Sequence, residues 1–126
     1  MDSYDPSKAP NKDLWLALDE QERIALVRDY HSAIDDDSEE SMKPFHSILH
    51  AIVENQIAEE VEPVPATMDK LQRQGLSRHE ALHAVGAVLS EGLFKTMQGD
   101  KEEFENTQYR RRLDKLTAKR WRKGQY

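Results

Sequence analysis

Two short strings hold most of the chemistry available to this chain. Residues 79–83 read HEALH and residues 46–50 read HSILH. Residues four apart share one face of a helix, so His79 with His83, and His46 with His50, each present two imidazoles to one neighbour. Histidine is the commonest protein ligand for transition metals. H-E-x-x-H is also the pattern of zinc peptidases, where the histidines hold the ion and the glutamate serves as base. That chemistry places its motif inside a helix and needs a strand beside it to hold the peptide. Here Ser77 and Glu80 form an S-x-x-E capping box, in which the glutamate reaches back to the serine amide. Glu80 then has a structural task, and no segment alternates with the period of two that a strand requires. The peptidase reading gives way to a plain metal site.

Four of the five histidines fall into these two pairs. Each pair lies in the first two turns of its helix and borders an apolar stripe. Parallel helices would set both pairs at one height, whereas antiparallel ones would part them by roughly 20 Å at 1.5 Å per residue. The compact arrangement is expected. Glu54 follows His50 by one turn and Glu91 follows His83 by two. The expected site is one divalent transition-metal ion (zinc, iron or nickel) held by His46, His50, His79 and His83, with Glu54 or Glu91 as auxiliary carboxylate. No other cofactor is implied, and whether the chain is an enzyme stays open. Arg78 is placed to meet an anion. Gly86, next on the HEALH face, would let a ligand or another backbone approach closely. A di-iron centre would need a second E-x-x-H and two more inward carboxylates. Two alternatives stand beside the metal. The imidazoles could be a structural network in a non-catalytic interaction module whose basic tail contacts a partner. They could also receive an anion or small ligand, since helix N-termini favour negative charge.

The elements that must position these residues are helical. Lys12 to Ala17 reads as a short turn with Leu14, Trp15 and Leu18 inward. Asp19 and Glu22 form a capping box that opens a helix with Ile24, Val27, Tyr30 and Ile34 on one side. DDDSEES, residues 35–41, is too charged to bury and reads as a loop without the glycine or spacing of a calcium site. Pro44 suits the first turn of the next helix, whose stripe is Phe45, Ile48, Leu49, Ile52, Val53 and Ile57. Pro65 begins a shorter helix through Met68 and Leu71, closed by Gly75. The HEALH helix carries Leu82, Val85, Leu89 and Leu93 inward and stops at Gly99. Asp100 with Glu103 caps a last helix containing Phe104, Leu113 and Leu116. The fold class is all-α: a single-domain bundle of five or six helices. Residues 1–10 read as a flexible N-terminal arm, 11–108 as the helical domain and 109–126 as a basic C-terminal helix or tail.

A chain of 126 residues, 37% apolar and 33% charged, fits one modest core. It has no cysteine, which excludes disulfides, thiolate zinc sites and cysteine nucleophiles. That suits a reducing cytoplasm. No apolar run reaches the roughly 20 residues needed to span a bilayer, so no membrane is expected. The net charge of −6 hides an asymmetry. Residues 1–108 hold 23 acids against 10 bases, a balance of −13, while residues 109–126 hold eight bases and one acid, a balance of +7. The tail's bases, Trp121 and Tyr126 could meet nucleic acid, but the acidic body would repel it. The favoured reading lays the tail on the body as an amphipathic helix. A homo-oligomer is compatible with the sequence, which names no partner.

PFHSILHAIVENQIA followed by GLSRHEALHAVGAVLSEGLF resembles an uncharacterised bacterial family of small helical proteins, a domain of unknown function. That family shows H-x-x-x-H-x-x-I-x-x-Q and then R-H-E-A-x-H with a following L-x-E. His46, His50, Gln56, Arg78, His79, Glu80, His83, Leu89 and Glu91 match, and Val53 replaces the isoleucine. The resemblance covers residues 44–97. It implies that both histidine pairs belong to one unit, and it implies no activity.

Overall fold

The computed structural model describes residues 1–33, 44–97 and 106–125. They form seven helices: α1 Lys12–Ala17, α2 Glu20–Ala33, α3 Pro44–Ala58, α4 Val64–Arg73, α5 Arg78–Met97, α6 Asn106–Lys115 and α7 Ala118–Arg122. No strand occurs among the described residues. The protein is an all-α bundle in one domain. No described helix is long and apolar enough to cross a membrane. The expected loop at 35–41, Ile34, Gly99, the Asp100–Glu103 cap and Phe104 lie outside the described residues, as do the side chains of Phe45 and Leu93.

Local signals set the helix boundaries. Asp19 and Glu22 exchange backbone-to-carboxylate bonds of 2.8 and 3.2 Å at the start of α2. At the start of α5 the Glu80 amide donates to the Ser77 hydroxyl at 3.1 Å and the Ser77 amide to the Glu80 carboxylate at 3.2 Å. Each box satisfies amides that a helix start leaves orphaned. At the end of α4, Leu76 N–H donates to the Leu71 carbonyl and Gly75 N–H to that of Gln72, both at 3.1 Å. This closure needs a left-handed residue, and Gly75 supplies it with φ +103°.

The core has two parts with α3 between them. On one side Val53 meets Leu71, Leu82, Val85, Leu89, Leu113 and Leu116 from α4, α5 and the C-terminal segment. On the other, Ala51 and Ala58 meet Tyr4, Trp15 and Val27. Trp15 is fully buried, while Leu14, expected inward, is 52% exposed. One short helix has room to turn only one face inward, and the indole takes it. The Trp15 indole N–H donates to Asn55 at 2.9 Å, and Arg23 bonds Asn55 and the Trp15 and Leu16 carbonyls, so α1 and α2 are tied to α3.

The arm departs from expectation, whereas the tail packs on the body as expected and differs only in forming two helices. The arm has no regular structure but it is docked: Tyr4 is 6% exposed, and Pro6 is buried with its carbonyl accepting a 3.0 Å bond from Arg78. The tail is two helices, because Thr117 breaks the run and caps α7 through the Arg120 amide at 3.1 Å. It packs on the body. Leu113, Leu116 and Ala118 are buried. Lys70 donates to the last carbonyls of α6, at Leu113 and Asp114, and Gln74 accepts from the Ala118 amide.

Candidate metal centre

His46 and His50 stand at the start of α3, and His79 and His83 at the start of α5. The structure brings all four rings together. The centroids of His50 and His79 lie 5.4 Å apart and stacked, those of His50 and His83 5.6 Å, and those of His46 and His83 4.9 Å. A third helix contributes a fifth ring, His31 of α2, which the pairing of histidines had passed over. One nitrogen from each of His31, His50, His79 and His83 lies within 4.8 Å of the others, a group able to hold a metal ion. A tetrahedral site with 2.0–2.1 Å bonds has nitrogens about 3.4 Å apart. His46 sits beside the group, its centroid 4.8 Å from that of His31, and is not one of the four.

Hydrogen bonds outside the cluster fix two of these rings. His31 Nδ1 lies 2.9 Å from the Val27 carbonyl. A carbonyl can only accept, so Nδ1 carries the proton and Nε2 has a bare lone pair. His50 Nε2 lies 2.9 Å from the Tyr4 hydroxyl, which donates its own proton to Glu54. His50 Nε2–H therefore donates to the Tyr4 oxygen, and Nδ1 is left bare. His31 Nε2 and His50 Nδ1 are buried and make no hydrogen bond among the described residues. Metal-bound histidines are ordinarily held this way, with the second ring nitrogen donating to a carbonyl or an anchored polar group. Burial holds the His50 imidazole well below the ordinary histidine range, and the neighbouring His83, His79, His46 and His31 add to the effect. The ring stays neutral, as a ligand must.

Neither expected carboxylate joins the four nitrogens. Glu54 is 1% exposed and receives Arg78 through two bonds of 2.7 and 2.9 Å, besides the Tyr4 hydroxyl. Its oxygens are taken. Burial opposes the Arg78 charge, but the bonds and charge of Glu54 outweigh it and raise the guanidinium pKa. The anion that Arg78 meets is thus Glu54. Glu91 is half-exposed and pairs with Arg112 of α6. Glu80 is exposed and bonded to the Ser77 amide, as the capping box requires. Gly86 faces Val53, whose methyl would lie 3.9 Å from an added Cβ, so ordinary packing meets this glycine. Gln56 accepts a 2.8 Å bond from Tyr109.

Sequence reasoning missed His31 and Tyr4. His31 follows Val27 by four, so the face of α2 that carries Val27 also carries this imidazole, a signal present in the spacing. Tyr4 had no such signal, because its partners are 46 and 50 residues away. Comparison with protein-family models, with curated proteins and with solved structures found no match to the chain.

Proposed function

We propose that the protein binds one divalent transition-metal ion through His31 Nε2, His50 Nδ1, His79 and His83, contributed by α2, α3 and α5. One observation carries this reading: in a cluster whose ring nitrogens come within 4.8 Å of one another, two buried imidazoles are fixed by outer partners so that each keeps a buried nitrogen with no hydrogen bond among the described residues. A purely structural histidine network would leave those two acceptors unsatisfied, at about 1–3 kcal/mol each. A metal ion would satisfy both. The donor set is imidazole alone, which suits zinc, nickel or iron and disfavours calcium and magnesium, whose ligands are oxygens. The cytoplasmic setting, the bacterial source and the kinship suggested by residues 44–97 belong to this proposal.

Titration of the metal-free, tag-free chain with Zn²⁺ tests it. One ion per chain is expected, with Ca²⁺ and Mg²⁺ unable to compete. His31→Ala and His50→Ala should each weaken binding sharply, and Glu91→Gln should leave it unchanged. Equal binding by wild type and both histidine variants would refute the site.

A further inference from the structure

We propose that the N-terminal arm is a wall of this metal site, with Tyr4 the positioning residue that commits His50 to bind through Nδ1, so that metal binding and arm docking strengthen each other. The inference rests on the metal reading and extends it to residues that touch no ion. The Tyr4 ring packs edge-on against His50, centroids 5.5 Å apart, and lies 5.6 Å from Trp15 and 6.3 Å from Tyr30. Its hydroxyl accepts from His50 and donates to Glu54. Arg78 closes the chain of contacts. It holds Glu54 with two bonds and donates to the carbonyl of Pro6 in the arm. Arg78 also directly precedes His79, a ligand from the other helix.

A cation on Nδ1 withdraws electrons from the ring and makes His50 Nε2–H a stronger donor. The strengthened bond falls on Tyr4, whose own proton goes to a carboxylate fixed by Arg78. Charge-assisted bonds of this kind are the strong ones. A ligand that tightens a contact is itself bound more tightly when the contact is present, by the same factor. The docked arm therefore raises metal affinity, and the metal holds the arm down.

Three readouts with Zn²⁺ alone test this. Trypsin has exposed targets at Lys8 and Lys12, and zinc should slow cleavage after Lys8 in the wild-type chain. Tyr4→Phe keeps the ring and removes the hydroxyl. It should weaken Zn²⁺ binding by about 10–100-fold, as loss of an outer partner does, and abolish the protection from trypsin. Long-range ¹H–¹⁵N spectra of the zinc-loaded wild type should show His50 bound through Nδ1 with its proton on Nε2, a readout that needs no variant to fold. A wild type that binds one zinc while Tyr4→Phe binds equally well, or in which His50 binds through Nε2, overturns the inference and leaves the metal site standing. A wild type that binds no zinc overturns both.

Discussion

At the scale of single residues, the decisive feature is the protonation pattern that neighbours impose. His50 is buried and held below the ordinary histidine pKa, so the unfolded chain takes up its proton first, near pH 6.5. Below that value the unfolded state binds more protons than the folded one. The stability contributed by neutral His50 is therefore complete above about pH 6.5 and declines as pH falls toward the lower folded value. The metal-free protein should melt at progressively lower temperature between about pH 7 and pH 5, a window set by the histidine range. A melting temperature that stays flat across it contradicts this account of His50. The buried Arg78–Glu54 pair gives a second prediction. Arg78→Met would strand a carboxylate that is 1% exposed, a loss of roughly 3–5 kcal/mol. Restoration of much of that stability by Glu54→Gln in the same chain would identify the stranded charge as the cause, and no restoration would exclude it.

Elements were the most legible level. Capping boxes are local in sequence, and both Asp19–Glu22 and Ser77–Glu80 form the bonds that their spacing prescribes. Ser77→Ala should cost about 1 kcal/mol, whereas Glu80→Gln should be tolerated because glutamine completes the same box. Gly86 lies inside α5 with Val53 at ordinary contact distance. Gly86→Ala should raise stability by roughly 0.5–1 kcal/mol, the helical cost of glycine. Denaturant midpoints measure all three, and a destabilised Gly86→Ala would mean that the packing at Val53 is tighter than this. What the sequence could not convey at this level was the third helix of the site. His31 has no histidine partner on α2, and the bond that orients it runs to a backbone carbonyl, which leaves no trace in residue type. The carboxylates misled for a related reason. Glu54 and Glu91 are near the histidine pairs in sequence, but each has an arginine partner from another helix.

For the whole molecule, the charge asymmetry resolves into packing. The basic segment contributes Leu113, Leu116 and Ala118 to the core, and Lys70, Gln74 and Arg122 link it to α4 and the turn that follows. Deletion of residues 109–126 removes two buried leucines worth about 1.5–3 kcal/mol each, against a total stability of about 5–15 kcal/mol. A large fall in melting temperature is expected. Unchanged melting with loss of affinity for RNA or DNA would instead assign the tail to a polyanion. The all-α class and the meeting of the two histidine pairs were readable, because helical period and spacing are local properties. The docked arm was not, because only folding brings Tyr4 to His50.

In the proposed site, three helices place four imidazoles around one ion. Crystals of the tag-free protein grown with Zn²⁺ and measured at the zinc absorption edge test it most directly. One anomalous peak per chain is expected, about 2.0–2.1 Å from His31 Nε2, His50 Nδ1 and one nitrogen each of His79 and His83, the ordinary zinc–imidazole distance. No peak at the cluster, or zinc held only by surface carboxylates, would contradict it.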